Sequence, residues 1–219
     1  MMSTYSWARR TGRTYCTTPW RELEHGINGS HMFRLVGGSF YGPPSSSSTT
    51  AATEKHMELS WLRISNESWH PSLRDFYFAA GPKPRLRWAA PGPHLAVHVR
   101  RGDVSYKAMP GRFVSNGLIA QCVINVTRRI RGASVHIFSE GLREDFGSLL
   151  KVPRVYFHLN WPLDLTFHHL VMADALIMAK STMSDCAAFL NSGRVFEQPS
   201  TGGGGQLHYM HRGLRIETC

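Results

Sequence analysis

The residues best suited to chemistry crowd into one stretch, His94-Leu95-Ala96-Val97-His98-Val99-Arg100-Arg101-Gly102-Asp103-Val104. A guanidinium grips a phosphate through two parallel hydrogen bonds, so an arginine pair followed by Gly-Asp is suited to clamp a diphosphate. The residues ahead of the pair are apolar and β-branched. They predict a short buried strand, with Gly102-Asp103 as the turn that leaves it. Arg100 and Arg101 then stand at a strand's carboxyl end, the edge of an open α/β sheet where ligands bind. His98 alternates with Val97 and Val99 and so shares a strand face with Arg100. Asp103 can orient an arginine or meet the ligand itself. On its own, an arginine pair also suits a solvated turn.

A second cluster, Ser181-Thr182-Met183-Ser184-Asp185, lies between an apolar strand pattern and a helical one. Its hydroxyls and backbone N–H groups can meet an anion at a helix N-terminus, and plain capping would use the same atoms. His168 and His169 are adjacent on a predicted helix and point different ways, which argues against a shared metal. Asp174 is expected to cap the turn into the strand that follows it.

Taken together these stretches resemble a known family. HVRRGDV, residues 98–104, is similar to the His-x-Arg-Arg-Gly-Asp motif of fucosyltransferases that use GDP-fucose, the group holding α-1,2-, α-1,6- and protein O-fucosyltransferases. Residues 158–193 resemble the later nucleotide-sugar motif of that superfamily, in which a helix, Ala-Asp, an apolar strand and a Ser/Thr-rich turn follow in order. The resemblance implies a Rossmann-like, parallel α/β donor domain of the GT-B type and transfer of fucose to a glycan or protein hydroxyl, with inversion and without a metal. It implies that Arg100 meets the donor's β-phosphate with Arg101 as a second support. His98, Asp103, Ser181, Thr182, Ser184 and Asp185 would line the donor site, with Met183 where relatives have an aromatic. Asp164 falls where several relatives carry an acidic residue for the guanine or fucose end. No cofactor is implied beyond GDP-fucose as donor substrate, and the other partner would be a glycan or glycoprotein acceptor. For a eukaryotic chain with an incomplete N-terminus the resemblance points to the Golgi or endoplasmic reticulum, and otherwise the expectation is the cytoplasm. The rival reading is a catalytically silent nucleotide-sugar or nucleic-acid binding module; against nucleic acid, the chain lacks RNP-type aromatic signatures and a long basic stripe.

These groups need a scaffold, and strand and helix patterns alternate along the chain to supply one. Strands are expected at residues 134–139, 154–158, 175–179 and 194–197, with helical spacing over 113–131, 142–150 and 165–172 and a helix start at 185–190. That alternation predicts a parallel sheet over residues 94–198. Residues 1–80 read as a reduced acceptor-side region, with one or two amphipathic helices over 54–78 broken at Pro71 and a low-complexity linker at 43–53. Pro82, Pro84, Pro91 and Pro93 make an extended connector, and residues 199–219 form a glycine-rich tail with no phosphate-loop pattern.

Composition fits a folded protein: 219 residues, 42% hydrophobic and 11% aromatic. The net charge of +10 suits a polyanionic partner. No run reaches the ~20 apolar residues of a membrane helix, and charges stand where a signal peptide's apolar core would be. Cys16, Cys122, Cys186 and Cys219 show no CxxC pair, and their pairing stays open. Sequons at Asn28, Asn66 and Asn125 would matter only in a secretory compartment.

Overall fold

A computed structural model of the chain describes residues 72–79, 82–199 and 216–219, without the side chains of residues 72, 73 and 76. The readings for residues 1–71, including the linker, and for Gly202 to Gly205 lie outside the described residues. The chain divides into two compact units, residues 1–83 and 84–219, within the proline connector. In the first, α1 (Ser72–Ala79) begins directly after Pro71, a residue that favours a helix start.

The second unit is an α/β sheet of six parallel strands: β1 (His94–His98), β2 (Ser134–Ser139), β3 (Val155–Leu159), β4 (Ala175–Met178), β5 (Arg194–Glu197) and β6 (Ile216–Thr218). Their order is β3-β2-β1-β4-β5-β6, the Rossmann-like order. Between them run α2 (Asn116–Arg129), a 3-10 segment (Arg143–Lys151), α3 (Leu163–Met172) and α4 (Thr182–Leu190). No helix among the described residues is long and apolar enough to cross a membrane.

One sheet face buries Leu95, Val97, Val99, Val135, Ile137 and Ile177 against Ile119, Val123 and Val126 of α2 and Phe146 and Leu149 of the 3-10 segment. Helix α2 starts later than its spacing predicts because Ser115 accepts the Leu118 N–H and stops the helix there. The helix predicted over 142–150 is instead a 3-10 segment. Gly147 has φ 40°, ψ −105°, and the Asp145 carbonyl is taken by Asn116 Nδ2 at 2.7 Å, so an α-helical ladder cannot run through. Helix α4 starts three residues earlier than the pattern suggests, with Ser181 extended at its N-cap.

The reading of residues 199–219 as a tail needs correction at its end. Ile216–Thr218 pairs with β5 as the edge strand, Glu217 takes a guanidinium fork from Arg194, and Cys122 and Cys219 form a disulfide, 97 residues apart. A cross-link over a loop of about that length adds up to ~4–5 kcal/mol on chain-entropy grounds. Three residues with one charge among them show no period, so only the long-range bonds identify this strand. Gly193 is the other tight point, since a Cβ there would strike the Asp174 carbonyl. Asn191 Nδ2 holds the same corner by donating to the carbonyls of Leu170 and Ala173.

The opposite face is filled by rings. His136 and His169 are fully buried and His158 nearly so, packed with Trp88, Phe138 and Trp161. The Ser134 hydroxyl donates to the Pro93 carbonyl and accepts from His136 Nε2, which leaves His136 Nδ1 to accept from His158 Nε2 at 2.8 Å. His169 donates from Nδ1 to the Leu165 carbonyl and accepts the Arg87 N–H at Nε2. Asp174 reaches back to accept the His94 N–H at 2.8 Å, so it ties β1 to β4 rather than capping its own turn.

Burial, with the neighbouring histidines secondary, pushes His136 down to about 3 and His158 to about 4, and burial lowers His169 as well. These rings stay neutral in the fold but take protons near 6.5 once unfolded. Stability is therefore full above about pH 6.5 and is lost as pH falls toward the depressed values, at ~1.4 kcal/mol per pH unit for each ring. Urea midpoints followed by tryptophan fluorescence are expected to drop steadily from about pH 7 to about pH 5. A flat profile would contradict the neutral-ring packing.

Candidate functional site

The sheet order sets β1 beside β4, so the connections leaving their carboxyl ends diverge there and open a crevice. The two sequence clusters meet across it. His98 Nδ1 lies 2.5 Å from Ser184 Oγ, and that oxygen also accepts the Ala179 N–H at 3.1 Å. With one lone pair given to Ala179, the serine keeps its proton and a second lone pair, so it can bond His98 Nδ1 in either tautomer of the ring. Burial first, and Arg100 second, push His98 down to about 3, so the ring is neutral. Gln198 Nε2 donates to the His98 carbonyl at 2.7 Å, and Ser139 Oγ to the Val99 carbonyl at 2.6 Å. The end of β1 is thereby held by β2, α4 and the residue after β5.

The arginines part company. Arg100 forks onto Asp103, Nε to Oδ1 at 3.2 Å and Nη2 to Oδ2 at 2.5 Å, so Asp103 orients an arginine. The fork uses two of the five guanidinium N–H bonds and leaves three. Arg101 turns into the fold, donating to the carbonyls of Arg100 and Val114 and to Asn116 Oδ1 at 2.7 Å, with its guanidinium 4.6 Å from the Phe113 ring centroid. It braces the loop against the start of α2. Gly102 has φ 70°, and a Cβ there would strike the Glu140 side chain, so the turn between Arg101 and Asp103 requires glycine. Lys180 Nζ donates to the Gly111 carbonyl at 3.1 Å and fastens the loop's far end to the exit of β4.

At the first turn of α4, Ser181 is 6% exposed, yet its side chain makes no capping bond. Thr182 is exposed and Met183 half-buried. Asp185 is 7% exposed, and burial, then Glu197, raises its carboxyl to about 7. Asp164 sits in the first turn of α3, on the crossover from β3 to β4. His98, Arg100 and Asp103 at the end of β1 and Ser181, Thr182, Ser184 and Asp185 at the start of α4 thus stand at the same sheet edge, with Arg101 turned inward and Asp164 on the neighbouring crossover.

Among the described residues no group of three or more His, Cys, Asp or Glu converges as metal ligands do. The arrangement offers open guanidinium N–H groups and a helix N-terminus to an anion, with acids to either side. Sequence reading missed Glu140, Gln198 and Glu197. Each stands at or just past a strand's carboxyl end, and that position was the available signal. No protein-family model, curated protein or solved structure matches the chain.

Replacing Ser184 by Ala strands His98 Nδ1 and the Ala179 N–H in a dry site, each costing roughly 1–3 kcal/mol. The expected result is a clear fall in the urea midpoint of the unliganded protein. An unchanged midpoint would show that the hydroxyl is not holding β1 to α4.

Proposed function

We propose that the chain is a glycosyltransferase of the GT-B type whose described α/β unit binds a GDP-sugar, and specifically that it is a fucosyltransferase acting on a glycan or protein hydroxyl. The supporting observation is that the two stretches resembling the GDP-fucose motifs meet at the sheet's switch point, through the His98 and Ser184 side chains 86 residues apart. The acceptor hydroxyl attacks the sugar's C1 and gives its proton to a base as the bond from C1 to the β-phosphate oxygen breaks; GDP leaves, and the anomeric centre inverts. Negative charge grows on that phosphate oxygen. Arg100, already turned by Asp103, places its remaining N–H groups there, while the N-terminus of α4 adds its dipole. Arg101 contributes charge from behind while it fixes the loop.

GDP is expected to raise the unfolding temperature without added metal, by an amount equivalent to ~2.7 kcal/mol at 100 times its dissociation constant. Arg100→Ala is expected to slow transfer from GDP-fucose about 100- to 1000-fold while the protein stays folded, and Arg100→Lys not to restore it. The check is GDP release from a panel of sugar nucleotides. Slow hydrolysis of GDP-fucose without acceptor separates an enzyme from a silent binding module, and preference for a uridine donor would end the assignment.

A further inference from the structure

Anion-binding groups account for only the middle of the crevice. Outward from it on the β2 side, the Glu140 carboxylate lies against Gly102. On the β5 side stand Asp185, in the first turn of α4, and Glu197, which pairs in register with Met178 at the end of β4. Asp185 is 7% exposed, and no hydrogen bond to its carboxyl is made among the described residues. The Ser181 hydroxyl beside it is equally buried and makes no capping bond. A buried polar group without a partner costs free energy, so two of them at one helix end mark a place where something else supplies the bonds.

Carboxyl groups repel phosphate and accept from O–H and N–H donors. A ligand suited to acid, anion cradle and acid in that order has a diphosphate at its centre and a hydroxyl- or N–H-bearing half on each side. Glu140 is exposed and Asp185 enclosed, so the larger half is assigned to the open Glu140 end and the smaller to the Asp185 end. We infer that Asp185, with Glu197 beside it, forms the subsite for the sugar half of the donor, accepting a hydroxyl of the transferred ring while Ser181 and the helix N-terminus hold the adjoining phosphate. The inference rests on the GDP-sugar reading and adds which residues distinguish a sugar nucleotide from the bare nucleotide.

The test is calorimetric titration of the full chain with GDP and with GDP-fucose, for the parent protein, Asp185→Leu and Asp185→Asn. Leucine fills the same space without an acceptor, and asparagine keeps the shape should leucine fail to fold. The parent is expected to bind GDP-fucose about tenfold tighter than GDP, the worth of one good hydrogen bond to a carboxylate. Asp185→Leu is expected to erase that margin and leave the affinity for GDP unchanged, with Asp185→Asn in between. An equal loss on both ligands would place Asp185 with the nucleoside and overturn the inference, as would a margin that survives in both variants. Failure of the parent to bind GDP at all would instead remove the GDP-sugar reading, and this inference with it.

Discussion

A strand buried on both faces can end in a histidine only if that ring stays neutral and finds a hydrogen bond, and in this chain the bond comes from Ser184. Much else is arranged around that need. Ser184 reaches His98 because α4 starts early, and α4 starts there because Ser181 leaves β4 in an extended conformation. Gln198 and Ser139 then take the carbonyls of His98 and Val99, so the strand's end is fixed before the arginines emerge. With the exit fixed, two neighbouring arginines can do opposite jobs. One points along the turn and is held by an acid, while the other folds back and binds carbonyls.

Five of the six strands were legible because each carries apolar residues at its centre between turn signals, and β2 and β5 match their expected bounds to the residue. What escaped depended on single atoms. Gly147 breaks an apparently helical repeat, and β6 exists only through bonds to residues far back in the chain. In the crevice, motif position located His98, Arg100 and Ser184 but not how each bonds. Adjacent arginines look alike in a sequence; Val114 and Asn116 make one of them structural, and their part depends on how the loop folds back. Asp185 reads as an ordinary first-turn acid until its burial is known.

The layer of rings on the other face follows the same physics as His98 without sharing its place. Histidine there does the packing of an aromatic while supplying the bonds that Ser134, Arg87 and Leu165 need. Phenylalanine would fill that space and leave those polar groups dry. The rings and the crevice are joined through β1, whose residues face both: His94 stacks on Trp88 at one end of the strand and His98 meets Ser184 at the other.

The order of the strands has a kinetic meaning as well. β1, β2 and β3 follow one another in sequence and neighbour one another in space, and so do β4, β5 and β6; the one strand pairing between these halves is β1 against β4. Loop-closure entropy makes that the slowest strand pairing to form, because among the sheet's pairings it spans the longest stretch of chain. The crevice lies on this seam and takes side chains from both halves, so a half-folded chain holds neither a paired His98 nor a placed helix end. Competence to bind is thus gained in one step, when the halves zip together, and any ligand seated there acts as a staple that slows their parting more than it hastens their meeting.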